Sequence, residues 1–289
     1  MFYSAYNAKL KINDVEILAS SAQISLSTSL EANYVIGDRN TNSYTASNGI
    51  GGSLSFDYFL TGNDYFKTFI TGQGEIPQVD SQIISGNFGG LNFDSGYLTS
   101  YSVTFSPNQP IAANVNIAFF DDLQGVFTTE EEEASPATVL SSSRVNIVSA
   151  FEVDEVDSFI AGSYNYTSEV APVYLIGETK PSEITFGKKT TSMNFEIDNP
   201  TGNLPVDGSN VKLEAKLRGY ESDLVLDVFS CSGVMESRNL ASAAGDYIKQ
   251  TINVIQNDSQ IKIVKPEAFI SHGSVGAGNV GMGSTEFQG

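Results

Sequence analysis

The sequence predicts a mainly β protein: two tandem β-sandwich or barrel domains, the first with a short flanking helix. Three observations predict it. Apolar and polar residues alternate with a period of two, most clearly where Leu54, Phe56 and Tyr58 interleave with Ser53, Ser55 and Asp57; that period turns one face of a strand toward a core. The composition favours strands and turns over helices, with 26 Gly, 13 Tyr and 18 Phe and no Trp. Finally, blocks of sequence recur at a near-constant distance. Tyr34-Val35-Ile36-Gly37 returns 140 residues on as Tyr174-Leu175-Ile176-Gly177, and Thr61-Gly62-Asn63 returns at the same offset as Thr201-Gly202-Asn203. Leu54, Phe56 and Tyr58 match Met193, Phe195 and Ile197 at an offset of 139. Such self-similarity marks a unit used twice. The expected division is residues 1–135, residues 136–270 and a Gly-rich tail at 271–289.

Taken in order, Leu10, Ile12, Val15 and Ile17 flank Asn13-Asp14, the pattern of a hairpin or bent strand. Ile24 and Leu26 alternate with Gln23, Ser25 and Ser27 as a half-buried strand, and Tyr34 to Ile36 form a short apolar run stopped by Gly37. Residues 38–53 are polar and read as a long loop or extended hairpin with its tip at Asn48-Gly49, a dipeptide that tolerates positive φ. Tyr65, Phe66, Phe69 and Ile70 then fall at helical spacing, with Asn63 or Asp64 to cap the start and Gly72 to end it. Residues 73–92 read as loop. Residues 97–106 and 113–120 form two strands closed by Pro107-Asn108-Gln109-Pro110.

The four glutamates at 130–133 read as a solvated connector rather than a calcium site, which needs spaced oxygen ligands. In the second half, strands are expected near residues 144–151, 163–166, 170–176, 192–197, 224–230, 252–255 and 261–264. Residues 209–217 are a weaker amphipathic or strand segment. In residues 236–247, Ala241, Ala243 and Ala244 hint at a helical turn or an ordered loop, and residues 273–289 are expected to be flexible or ordered by a partner.

The net charge of −19 is spread evenly: 5 basic and 15 acidic groups in residues 1–145, and 10 and 19 in residues 146–289. No basic patch is present to neutralise phosphates, so a nucleic-acid grip is not expected. The one cysteine, Cys231, cannot form an internal disulfide and is expected to be a small buried residue. No signal peptide, membrane span or membrane partner is expected.

Chemistry is sparse. The single histidine, His272, starves a catalytic triad, a His–Cys zinc site and a Cys–His pair. No nucleophile-elbow or phosphate-loop motif occurs. The carboxylate groups at Asp121-Asp122, Glu152 and Asp154-Glu155-Asp157 are not assembled across a cleft by sequence alone. No catalytic residue, cofactor or metal is therefore assigned, and no enzyme is expected. Tyr3, Tyr6, Tyr44, Tyr97, Tyr101, Tyr164 and Tyr166 offer faces for stacking on sugars; on strands such rings more commonly pack across the sheet.

The strand and Tyr-Val-Ile-Gly stop of residues 24–37, the polar stretch 38–52, and Phe56-Asp57-Tyr58-Phe59-Leu60-Thr61-Gly62 before Phe66 and Phe69 together resemble bacteriophage tail tube proteins in their tandem-duplicated form. Gly86-Asn87-Phe88-Gly89-Gly90-Leu91, Gly96-Tyr97-Leu98-Thr99-Ser100-Tyr101 and Pro107-Asn108-Gln109-Pro110 add to the resemblance. It covers most of the first half and part of the second. It implies β-sandwich or barrel domains whose sheets join around a ring, a trimer with pseudo-sixfold symmetry for a two-domain chain, and a long loop that reaches the next ring. It further implies a virion protein made in the host cytoplasm, whose partners are itself and other phage tail proteins, with DNA passing an acidic channel as non-adhering cargo. The inter-subunit candidates are Asp38, Arg39, Asn40, Tyr44 and Asn48 in the first polar stretch, and Glu178, Lys180 and Lys188 in its second-half counterpart. The competing expectations are another β-sandwich virion component, such as a neck, baseplate, decoration or fibre-attachment protein, and a carbohydrate-binding module. The second half lacks the Tyr65–Ile70 helical pattern, a departure from an exact copy.

Overall fold

Short-period alternation becomes long strands. A computed structural model describes residues 9–34, 36, 43–62, 64–70, 83–120, 123–128, 138–141, 145–149, 159–176, 178, 180–198, 208, 210–218, 224–241, 249–258 and 262–264. The strands are β1 (Leu10–Ile12), β2 (Val15–Ile17), β3 (Ala19–Asn33), β4 (Ser43–Phe59), β5 (Ile84–Phe88), β6 (Leu91–Phe105), β7 (Ala112–Phe119) and β8 (Gln124–Gly125). They continue as β9 (Val145–Ser149), β10 (Phe159–Val173), β11 (Glu183–Asp198), β12 (Asn210–Arg218), β13 (Val225–Ala241), β14 (Lys249–Asp258) and β15 (Lys262–Val264). The single helix among the described residues is α1 (Lys67–Ile70). The protein is mainly β, as the alternation implies, and every strand pairing among the described residues is antiparallel.

The strands join in one hydrogen-bonded network. Its centre is the run β3-β4-β7-β6-β10-β11-β14-β13. β6 serves two neighbours along one edge: its first half pairs with β5, which leads to β1 and β2, and its second half, Ser100 to Phe105, pairs with β10. β13 likewise pairs through residues 225–234 with β12, which leads to β9. The same order of pairing thus lies on either side of the β6–β10 contact. β15 covers the edge of β11 at Ile184 to Phe186.

The irregularities recur as well. β3 and β4 slip between Ala19 and Ser21 and between Thr28 and Leu30. β10 and β11 slip between Phe159 and Ala161 and between Ser168 and Val170, 140 residues on. β6 slips against β7 between Leu98 and Ser100, and β13 slips against β14 between Met235 and Ser237. Bulges re-aim side chains and raise local twist, so they are retained as features of a strand path.

The core follows the alternation. Leu54, Phe56 and Tyr58 of β4, Val115 and Ile117 of β7, Tyr101, Val103 and Phe105 of β6, and Met193 and Phe195 of β11 are buried in one cluster that also contains Leu213, Phe229, Ile252 and Val254. One apolar core therefore runs through both halves of the chain. A smaller cluster of Tyr97, Ile184 and Phe186 lies where β6 passes near the end of the β10–β11 hairpin.

Several sequence expectations are corrected. Asn48-Gly49 is not a hairpin tip; it lies inside β4, and the β3–β4 arms pair out to Asn33 opposite Ser43. A ribbon exposed on both faces can be polar throughout and still be a strand, which is why this stretch reads as loop. Gly49 serves packing instead: a Cβ there would stand 2.1 Å from the Tyr174 ring. Tyr34 and Ile36 lie beyond the strand with their side chains exposed, and Leu175 and Ile176 repeat this in the second hairpin. Residues 84–92 are not loop but the tight β5–β6 hairpin, turned by Gly89 and Gly90 at φ 56° and 85°, which a side chain would disfavour. Residues 236–241 continue β13, and Ala243 and Ala244, on which the expected helical turn also rested, lie outside the described residues. The hairpin expected at Asn13-Asp14 is present, with both residues at positive φ. The Glu130–Glu133 connector, the domain boundary near 135, the Gly-rich tail, Tyr3, Tyr6, His272 and the carboxylates between 121 and 157 lie outside the described residues.

Candidate functional site: a strand seam and the polar cluster beneath it

The β6–β10 contact is built by small polar residues on one face and aromatic ones on the other. Antiparallel pairing sets Tyr166 opposite Tyr101 and Tyr164 opposite Val103. All four are buried, and Tyr101 and Tyr164 pack on the Phe229 ring at 6.4 and 5.3 Å between centroids. Cross-strand aromatic pairs of this kind contribute beyond their buried area. Burial raises the Tyr164 and Tyr101 phenols above their ordinary range, so both remain neutral. Tyr97, Tyr101, Tyr164 and Tyr166 are thus packing residues, and none presents a face to a sugar.

Beneath the seam lies a buried charged group. Asp64 caps the turn before α1, accepting from the Phe66 amide at 3.0 Å. Its carboxylate also accepts from the Tyr58 hydroxyl at 2.8 Å and from the Tyr101 hydroxyl. The Asp64 amide donates in turn to Asp227 of β13 at 3.2 Å. Lys67 pairs with Asp227, donates to the Val228 carbonyl at 2.5 Å and sits 4.9 Å above the centre of the Phe229 ring. Desolvation raises the Asp64 carboxyl above its ordinary value, opposed by the Tyr101 and Tyr58 hydrogen bonds. Tyr58 is also raised, by burial and then by the adjacent Asp64 charge. With donors already filling its acceptor positions, Asp64 acts chemically as an anchor, tying α1 and β4 to β13.

A cleft of about 180 Å³ opens beside Asp64, walled by Ile17, Leu18, Tyr58, Leu60 and Tyr65. Among the described residues no group of His, Cys, Asp and Glu is arranged to hold a metal ion. Cys231 is buried and desolvation pushes its thiol up to about 11.

The solvent face of the eight-strand run is chiefly hydroxyl and amide. Ser25 meets Ser53 at 2.8 Å, Asn114 donates to Asp57 at 2.7 Å, and Asn116 donates to Ser100 at 2.7 Å. Its charged groups include Asp57, Glu196 and Lys249, the last two paired at 3.2 Å.

The residues expected at a subunit contact do not form one cluster. Tyr44 and Asn48 are on β4 and Lys188 is on β11, so these three are strand residues rather than loop residues. Tyr44 is exposed, and the Lys188 amide donates to Glu169 at the β10 bulge. Glu178 and Lys180 are exposed in the β10–β11 connection. Asp38, Arg39 and Asn40 lie outside the described residues. Sequence reasoning missed the seam and the Asp64–Lys67–Asp227 cluster. The alternation at 101–105 is visible, but nothing in the sequence says which strand edge it meets, and Asp64 and Asp227 are 163 residues apart.

No protein-family model matches the chain, and a search of curated proteins returns no match.

Proposed function

We propose that the protein is a structural virion protein of a tailed bacteriophage, a tail tube subunit with two tandem tube-type domains that assembles into rings and stacks as a tube for DNA passage. The observation that carries this reading is the recurrence of one strand ladder, bulges included, on both sides of the β6–β10 seam. A unit that joins edge to edge with its own repeat is suited to joining further repeats, because an open strand edge must be covered or it pairs indiscriminately. The polar face of the eight-strand run fits a surface past which DNA slides. Its hydroxyls and amides bond to one another, and Lys249 is engaged by Glu196. The exposed hairpin ends at Ile36 and Ile176 suit contacts along the stack.

Negative-stain imaging of the purified protein tests the reading. Rings or tubes of uniform bore are expected. A monodisperse monomer that never assembles at high concentration overturns it.

A further inference from the structure

Two strand edges in the eight-strand run are left uncovered by any described strand: the outer edge of β3, and the β13 edge beyond Met235. The geometry points to a second copy of this chain as their shared occupant, residues 23–27 of β3 lying antiparallel on residues 237–241 of β13 in another copy. In this register Ser27 faces Ser237, Ser25 faces Asn239 and Gln23 faces Ala241. The inference rests on the ring-forming reading above and gives its contact.

The β6–β10 seam supplies the template. β3 and β10 run from residue 19 to 33 and from 159 to 173, with both bulges at matching positions. β6 and β13 share a bulge, after which Ser100 faces Asn116 and Ser237 faces Asn253. The stretch of β6 that receives β10 therefore corresponds to the uncovered stretch of β13. Exposure follows the same correspondence. Tyr166 is 6% exposed and its counterpart Leu26 is 40%; Val103 is 0% and its counterpart Leu240 is 66%. Apolar residues covered at the internal seam are apolar and bare at the open edges.

One position breaks the likeness. Tyr101, at the centre of the internal seam, corresponds to Arg238. A guanidinium keeps its water more cheaply outside a seam than within it, so the seam between copies opens before the one inside the chain.

Disulfide trapping tests this. Opposed strand residues have Cβ atoms about 4.5–5.5 Å apart, near disulfide reach, whereas diagonal ones stand about 7–8 Å apart. The chain carrying Ser25→Cys and Asn239→Cys is mildly oxidised, alongside a control carrying Ser25→Cys and Ala241→Cys. Covalent multimers at least about tenfold more abundant in the first are expected. Particles that form without this bias overturn the register and leave the tube reading standing. Trapped multimers that never form rings uphold the seam and sink the tube reading. Monomers with no trapping overturn both. Separately, Arg238→Tyr restores the internal pattern and is expected to lower the concentration at which assembly begins about two- to tenfold; an unchanged or higher threshold overturns the weak-seam assignment.

Discussion

Asp227→Ala tests the claim that the Asp64–Lys67–Asp227 cluster ties the two halves together. Asp227 is 3% exposed and Lys67 18%. Removing the carboxylate leaves the ammonium with the Val228 carbonyl and the Phe229 ring, and leaves the Asp64 amide without its acceptor. Breaking a buried ion pair from one side costs about 3–5 kcal/mol. Because Lys67 keeps some contact with water, the lower end, about 3 kcal/mol, is expected. Lys67→Met is expected to cost more, about 4 kcal/mol, since it leaves the Asp227 carboxylate, the more deeply buried partner, without its cation. The double variant Lys67→Met, Asp227→Leu removes both charges and should return to within about 1 kcal/mol of the parent. Urea unfolding followed by tyrosine fluorescence measures all three, comparing midpoints at constant slope. Single variants that cost under about 1 kcal/mol, or a double variant whose loss equals the two single losses added, would refute the reasoning.

Asp64 should leave a pH signature. Its raised native value means that the folded state holds a proton where the unfolded state has lost it, so its contribution is full below the ordinary Asp range and is lost as pH rises through the native value. The stability of the parent relative to Asp64→Asn should therefore fall with rising pH above about 4; a difference flat with pH argues against it. Tyr97→Phe removes a buried hydroxyl that has no hydrogen-bond partner among the described residues, so a gain of up to about 1 kcal/mol is expected in thermal melts, and a loss would count against the packing described. Gly49→Ala should unseat Tyr174 at a cost of about 1 kcal/mol, and the cost should vanish in a Tyr174→Ala background. Cys231, with its thiol pushed up to about 11, should react with a thiol reagent at pH 8 only after unfolding; a fast reaction in the native protein would contradict its burial.

The mainly β character was legible because antiparallel strands with one buried face write their period into the sequence, as β4 and β7 do. The hairpin at Asn13-Asp14 and the β6–β7 turn were legible through their turn residues. Three kinds of information were not. The β3–β4 ribbon is exposed on both faces, so its far end lacks the alternation that names a strand. Gly89-Gly90 could have been loop or turn, and only the pairing of β5 with β6 decides. The seam depends on which edges meet, a matter of tertiary geometry that neither Tyr101 nor Tyr166 announces locally. Repetition at an offset of 140 was the sole hint that Tyr166 and Leu26 hold equivalent positions in different surroundings.

β6 waits for a partner that has not yet been synthesised. The edge of its second half is completed by β10, about 60 residues later in the chain. During translation that edge is bare, and the nearest strand of matching design is the β3 of another nascent chain. Correct closure is then a race between an intramolecular partner still emerging and an intermolecular one already folded. Sparse expression, or spacing of ribosomes along the message, would favour the first, while crowded synthesis would yield strand-exchanged chains that are well folded locally and wrongly connected.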